Sequence, residues 1–419
     1  IKMTVNEQNL KEEALRCLMC KNPRCKANCP ISTPIPEVIG LFKEDKIKEA
    51  GEILFENNPL SVVCSIVCPH ENQCKGNCIK GIKETPVNFS EIEKEISEEF
   101  LDNLELTQDT ILEDKIAIIG GGPAGITAAF ILAKKGYQVT IFDENDKIGG
   151  VLRYGIPEFR LSRDIIDKYE EALIKLNVKI RPNTLIGTVI TLDMLKSDGY
   201  KAIFIATGVW NPKTLNVKGE TLGNVHYAID YLKAPKSYNL GERVVVIGAG
   251  NVAMDAARTA KRNGADTYVL YRKSFEDMPA TKVEIEEAKE DGVKFELYKA
   301  PLEIYEDGVK YIQTERVISE DGRVSFKTLE GSEGVFKCDS IIVAISQAPR
   351  TNIVSSSRDL STDKYGLVVT DEKGITTLNG VFASGDVVSG PKTVVEAVAN
   401  SKKVAHAIDA VSYTHLRAH

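Results

Sequence analysis

Short apolar runs punctuate the chain from about residue 115 onward: KIAIIGGG, QVTIFDE, AIFIATG, RVVVIGAG, TYVLYRK, SIIVAIS and GVFASGD. Helical segments and glycine turns separate them. Alternation of apolar strands with helices predicts parallel sheets joined by crossover helices. Residues 10–100 have a different texture. In IPEVIGLFKEDKIKEAGEILFEN, and again in VNFSEIEKEISEEFLDNL, the apolar residues recur at three-to-four spacing, the period of a helix with one buried face. Short helices joined by loops are expected there, and the loops hold cysteines.

Two of the apolar runs enter glycine motifs of one type, about 128 residues apart. In the first, Gly120-x-Gly122-Pro123-Ala124-Gly125 follows a strand and opens a helix. Glycines there permit a tight turn and close backbone approach, so a pyrophosphate can sit on the helix N-terminus. Asp143 ends the next strand, 18 residues beyond Gly125, where a carboxylate can bind ribose hydroxyls. This is the pattern of a flavin or NAD site. In the second motif, Gly248-x-Gly250-Asn251-x-Ala253, the following strand ends in Tyr271-Arg272-Lys273 instead of an acid. Two cations at the ribose position suit a 2′-phosphate and predict NADP; the alternative makes Arg272 and Lys273 a solvated strand end.

A third segment, GVFASGDVVSGPKTVVEAV, places Gly385-Asp386 after a strand, with a helix expected from about Thr393. That helix N-terminus would face an isoalloxazine while Asp386 meets the ribityl-phosphate portion; the alternative is one more strand-turn-helix unit. The order of the three segments implies an NADP domain inserted within an FAD domain.

Composition narrows the classes. At 419 residues the chain has room for about two to four domains. Apolar residues make up 43% and charged ones 27%, ordinary for a globular protein. A net charge of −7 without a long basic run argues against nucleic acid as a partner. No apolar stretch reaches the roughly 18 residues of a membrane span, and no signal peptide opens the chain, so cytoplasmic residence is expected. The opening IKM makes Met3 the candidate first residue, and the closing SYTHLRAH, without a pattern of its own, is set aside as a candidate foreign tail.

Eight of the nine cysteines lie in CLMCKNPRCKANCP (17–30) and CSIVCPHENQCKGNC (64–78); Cys338 stands apart. In a reducing compartment, clustered thiols point to metal or redox chemistry rather than disulfides. Zinc is the structural alternative, with Cys17-x-x-Cys20 as half of a site. Cys29-Pro30 and Cys68-Pro69 argue instead for ferredoxin-like ligation, in which successive thiolates are shared between two cubane clusters. A flavin that takes up two electrons also needs a one-electron exit. Cys338 has no C-x-x-C partner, so thiol–disulfide exchange is not expected.

The stretches RCLMCKNPRCKANCP, ENNPLSVVCSIVCPHENQCKGNC, GGVLRYGIPEFRL and GDVVSGPKTVVEAV resemble the glutamate synthase small (beta) subunit family over roughly residues 10–410. That family includes the electron-input part of dihydropyrimidine dehydrogenases and the large subunit of the NADH-dependent ferredoxin:NADP oxidoreductase. The resemblance implies FAD, NADPH and two 4Fe-4S clusters, and adds Gly149 and Gly150 to the cofactor-binding residues. Carried over by position, one cluster would take Cys17, Cys20, Cys25 and Cys78. The other would take Cys29, Cys68, Cys74 and, from the following helix, Glu93. Cys64 would be a neighbour without a metal bond, although it is the other candidate for the last ligand. The alternative for Glu93 is a place on a solvated helix face beside Glu91 and Glu95.

The fold expected is α/β, with two nested dinucleotide-binding, Rossmann-like domains preceded by an α-helical iron–sulfur domain. The expected bounds are 1–112 for the helical domain, 113–231 with 347–411 for the FAD domain, 232–346 for the NADP domain and 412–419 for the tail. The expected reaction moves a hydride from NADPH to the flavin and single electrons out through the clusters. The cofactors carry that chemistry, so no catalytic side chain is named. Glutamate synthesis and dihydropyrimidine reduction both need an FMN barrel for which the chain has no room, so the acceptor is a large catalytic subunit or a ferredoxin. The leading reading is the small subunit of a glutamate synthase. Its alternatives are an electron-input subunit of dihydropyrimidine dehydrogenase or of a flavin-bifurcating transhydrogenase, and, in another class, a free-standing diaphorase or ferredoxin reductase.

Overall fold

The computed structural model describes residues 5–108, 110–319 and 321–416, with side chains from residue 9 to 411. Met3 and the last three residues of the tail lie outside the described residues. Two compact units emerge. The first holds the chain up to Leu152, Glu158–Val209 and everything from Pro349 on; the second holds Arg153–Pro157 and Trp210–Ala348.

In the first unit a five-stranded sheet runs Val381–Ala383, Tyr200–Ile205, Lys115–Ile119, Gln138–Phe142, Lys179–Arg181, every neighbouring pair parallel. The two central runs read as expected: after one exposed residue, each strand of the pair Lys115–Ile119 and Gln138–Phe142 is buried at four successive positions. Burying each such Ile or Val side chain contributes about 1.5–3 kcal/mol. The helix Pro123–Lys134 crosses between strands and is itself buried nearly all round. On one side it meets the long helix Val394–Leu416, whose backbone runs on into the segment set aside as foreign.

The helices of the N-terminal region build their own core in the same unit. Ile35–Lys43, Ile47–Asn57, Ser61–Val67 and Phe89–Asp102 bury one face each, with Ile39, Phe42, Leu54, Ile92 and Ile96 almost inaccessible. Gly51 is required where a Cβ would come within 2.6 Å of Phe100. This core does not stand off from the sheet. Phe55 packs edge-on to Phe130 at 5.4 Å, and Phe130 edge-on to Tyr169 at 6.0 Å, so aromatic rings stitch the helical region to the helices of the sheet.

The second unit is built on another five-stranded parallel sheet: Val225–Tyr227, Ser340–Val343, Arg243–Ile247, Asp266–Tyr271, Lys294–Leu297. Against the expected division at residue 231, the strand Val225–Tyr227 and the helix Ala228–Lys233 belong to this unit, with Ala228, Tyr231 and Leu232 in the same core as Val244 and Val246. An antiparallel sheet that the sequence reading did not anticipate is formed by Lys299–Tyr305, Gly308–Ile318, Val324–Thr328 and Gly334–Lys337.

Candidate functional site

Close packing of glycines defines the first phosphate cradle. Gly120 takes φ +102, and a Cβ on Gly125 would collide with the Gly120 carbonyl oxygen, so neither position admits a side chain without rearrangement. Gly149 donates to the Gly121 carbonyl at 2.7 Å, and Gly150, at φ +51, comes so near that its Cβ would lie 2.8 Å from Gly122 Cα. Gly122 caps the helix that begins at Pro123 and Ala124, leaving the first amides of that helix without covering side chains. Gly385, at φ +80, approaches from the far strand: a Cβ there would stand 3.0 Å from Ala124 Cβ. Residues 120–125, 149–150 and 385–386 are thus neighbours. A cradle of bare backbone amides at a helix start fits a dinucleotide pyrophosphate.

Asp143 is buried, 4% exposed, and its carboxylate braces this turn. Oδ2 accepts from the Gly121 amide at 2.7 Å, and Oδ1 accepts from both nitrogens of Asn145 at 2.8 and 3.0 Å. Three of about four acceptor positions are used in this way. Burial pushes its pKa up, and these hydrogen bonds oppose that shift. Asp386 is half-buried and accepts from the Lys392 amide at 3.2 Å; burial raises it to about 7 against that bond, with Glu396 adding to the rise. Thr393 and Glu396 form a reciprocal capping box. The Thr393 amide and hydroxyl donate to Glu396 at 3.0 and 2.6 Å, while the Glu396 amide returns to the hydroxyl at 3.4 Å.

The second cradle lies in the second unit. Gly248 takes φ +131 and Gly250 caps the helix Asn251–Arg262 with open space where its side chain would be. Asn251 accepts from the Thr281 amide at 3.2 Å, tying this helix start to the next helix. At the end of the neighbouring strand Arg272 is exposed and Lys273 half-buried. The unanticipated antiparallel sheet holds both: the Thr314 hydroxyl donates to the Arg272 carbonyl at 2.7 Å, and the Lys273 ammonium lies 5.6 Å from the Phe326 ring centroid.

In the helical region Cys17, Cys20, Cys25 and Cys78 line one cavity, with Cys74 on its wall. No three His, Cys, Asp or Glu side chains among the described residues are arranged to hold a single ion. The thiols border a space instead of converging on a point, a donor arrangement suited to a multi-atom cluster. Burial raises the pKa of Cys17, lifts Cys25 to about 11 and, with Glu93 adding to it, lifts Cys74 to about 12. Unloaded, these thiols hold their protons, which metal binding must displace.

Around Cys74 the remaining candidates gather. Its thiol feels Glu93 and Cys29; that of Cys68 is held well up by its hydrogen bond with Cys64, by burial, and by Glu93 and Cys74. Glu93 is 6% exposed on the inner face of Phe89–Asp102, whereas Glu91 is exposed and Glu95 half-buried. The alternative that put Glu93 on a solvated face is therefore overturned: the helix turns it toward the core with Ile92 and Ile96. Burial, then Cys64, keeps its carboxyl well above the usual range. Both candidates for the last ligand, Cys64 and Glu93, stand beside Cys68.

Two polar contacts to these thiols were invisible in the sequence. His70 Nδ1 lies 3.5 Å from Cys74 Sγ while its Nε2 meets the Ser65 carbonyl at 3.0 Å, and Thr33 Oγ1 lies 3.3 Å from Cys29 Sγ. All nine cysteines are free; Cys338 is buried in the second unit, its thiol pushed up to about 12 by burial.

Two nested dinucleotide folds with a thiol-rich helical region define a pyridine-nucleotide flavin oxidoreductase with an iron–sulfur domain. Comparison with known proteins agrees. A family model described as Pyridine nucleotide-disulphide oxidoreductase matches residues 86–199 and 114–401, and one described as Dihydropyrimidine dehydrogenase domain II, 4Fe-4S cluster, matches residues 1–104. The chain is 32% identical to the Glutamate synthase [NADPH] small chain of Azospirillum brasilense, covering 97% of this chain and 89% of that protein. It is 34% identical to the NADP(+)-dependent formate dehydrogenase subunit beta of Moorella thermoacetica, over 92% of this chain and 59% of that one. Among solved structures, Mycobacterium tuberculosis FprA in complex with NADPH shares the fold, with a TM-score of 0.62 at 18% identity over 73% of this chain and 86% of that chain.

The chain belongs to the glutamate synthase small-chain family, within the pyridine nucleotide-disulphide oxidoreductases. It is an NAD(P)H-dependent flavin oxidoreductase whose cofactors are FAD, NADPH and 4Fe-4S clusters. No helix among the described residues is long and apolar enough to cross a membrane.

Proposed function

We propose that the chain is the electron-input subunit of a glutamate synthase-type enzyme, located in the cytoplasm, that delivers electrons from NADPH to a larger partner chain. The observation that carries this reading is the cavity walled by Cys17, Cys20, Cys25, Cys74 and Cys78 in the same compact unit as the first glycine cradle. When bound, the cofactors supply hydride acceptance and a one-electron exit.

The protein's own residues position them. The amides that follow Gly122 and Gly250 take the two pyrophosphates, with Gly149, Gly150, Gly385 and Asp386 closing the flavin side. Asp143 holds the first turn and offers its remaining lone pair to the ribose. Arg272 and Lys273 take the 2′-phosphate, and Thr393 caps the helix behind the flavin. Cys17, Cys20, Cys25 and Cys78 hold one cluster; Cys29, Cys68, Cys74 and Glu93 hold the other. Cys64 lends its thiol to Cys68 without binding metal.

Purification without oxygen at native level tests this. The chain should carry one FAD with about eight iron and eight acid-labile sulfide, and a stoichiometric large subunit should accompany it. Stoichiometric zinc without sulfide sinks the cluster assignment. A homogeneous single chain supports a free-standing ferredoxin reductase, and a companion other than an amidotransferase supports another electron-input subunit. Within the second cluster, Glu93→Ala should disturb the paramagnetic resonance signal of one cluster only, while Cys64→Ala leaves both signals intact. The reverse result means that four thiolates hold it.

A further inference from the structure

The Cys29 thiol ends a line of hydrogen bonds that starts on the long helix Val394–Leu416 behind the flavin sheet. Lys402 Nζ donates to the carbonyls of Glu56 and Asn57, at 3.1 and 2.9 Å, and reaches Asn57 Oδ1 at 3.5 Å. Asn57 Nδ2 donates to Thr33 Oγ1 at 3.5 Å, and Thr33 Oγ1 meets Cys29 Sγ at 3.3 Å. Direction follows from the partners. An ammonium can only donate, so Asn57 must turn its oxygen to Lys402 and its amide nitrogen to Thr33. The Thr33 oxygen then accepts from Asn57, and because a cluster-bound Cys29 carries no proton and can only accept, the Thr33 hydroxyl donates to its sulfur. Every donor in the line points from Lys402 toward Cys29, and Thr33 is 4% exposed, so water competes little for its hydroxyl.

We propose that Thr33 is a positioning residue for the Cys29-bound cluster, and that the Lys402–Asn57–Thr33 line raises that cluster's reduction potential. The proposal rests on Cys29 being a ligand. A hydrogen bond to a ligand sulfur draws electron density from it and favours the reduced, more negative cluster. Bonds aligned head to tail polarise one another in a low-dielectric setting, and a positive charge at the far end acts in the same sense. The Cys29 site is thereby coupled to a helix packed on the first parallel sheet.

The test is a redox titration of the anaerobically purified full-length protein, followed by paramagnetic resonance. Thr33→Val keeps the shape and removes the hydroxyl; it should shift one cluster to a more negative midpoint potential, with iron content unchanged and the other cluster unmoved. Thr33→Ser should restore the wild-type value, which a purely structural role would not require. Lys402→Met, on a half-buried position far from the thiols, should give a smaller shift of the same sign and answers the question if Thr33→Val fails to assemble. Unmoved potentials in Thr33→Val and Lys402→Met, together with loss of one cluster's iron in Cys29→Ala, overturn the relay alone. Full iron in Cys29→Ala overturns the ligand assignment and the relay with it.

Discussion

The two parallel sheets repeat one another closely enough that their differences carry information. In each, a strand with one exposed and four buried residues, Lys115–Ile119 or Arg243–Ile247, enters a glycine turn and a twelve-residue helix. The helices then diverge. Pro123–Lys134 is apolar nearly all round and sits between layers, whereas Asn251–Arg262 sends Arg258 and Arg262 to Asp291, at 2.8 and 2.9 Å, and keeps a polar side. The strand ends diverge as well: Asp143 is buried and spent on the loop, Arg272 is exposed. The glycine turn is shared; in the proposed reading the charge at the next strand end selects the nucleotide, and the helix surface records whether another layer covers it.

The hardest test of this parallel sets a crowded motif position, Gly125, where the other sheet has Ala253, against an open one, Gly250. Gly125→Ala forces a Cβ into the Gly120 carbonyl, an overpacking cost of roughly 1–3 kcal/mol. FAD content should collapse and the melting temperature fall, both read on the purified protein. Gly250→Ala meets open space and should leave the fold intact. Equal damage from both would break the comparison.

The next effect is nucleotide choice. Replacing Arg272 and Lys273 by Gln removes charge-assisted hydrogen bonds worth roughly 1.5–3 kcal/mol, so NADPH should bind at least about tenfold more weakly while NADH changes little. Fluorescence titration with each nucleotide decides it; equal losses, or a wild type that prefers NADH, would remove the distinction between the strand ends.

The smallest effect is a pH slope. Burial holds Asp386 at about 7 in the folded chain, above an ordinary carboxylate, so the unfolded chain gives up this proton first. Its contribution to stability is therefore full at low pH and is lost as pH rises from about 4 to about 7. Without FAD, the wild type should lose melting temperature between pH 5 and pH 8, Asp386→Asn should flatten part of that slope, and Arg272→Gln should leave it unchanged.

All seven apolar runs of the sequence became parallel strands because unbroken apolar stretches between glycine turns have few other places to go. The antiparallel sheet escaped notice because its strands are only half-buried and look like polar loop. Two Asp-Gly pairs were the available signal: Asp307 closes one turn with Gly308 opening the next strand, and Asp321-Gly322 sits in another turn. The thiols were legible from spacing alone. Thr33 and His70 were not, although each meets a thiol four residues away, because that contact depends on the conformation of an irregular turn; Asn57 was not, since Thr33 and Lys402 reach it from distant segments. Nor could residues 1–112 be seen as part of a larger unit: nothing in the pattern around Phe55 announces that it meets Phe130.

That aromatic seam has a mechanical meaning. Electron tunnelling weakens exponentially with separation, so a carrier on a swinging arm delivers charge in bursts, at whatever closest approach its motion allows. Rings packed edge to edge between the helix Ile47–Asn57 of the cysteine-bearing region and the helices on the first sheet, with Lys402 bolted to the end of that helix, would make the input end of the proposed wire a fixed gap. Loosening Phe55 or Phe130 would then spread that gap over a range of distances, and transfer over a range of rates.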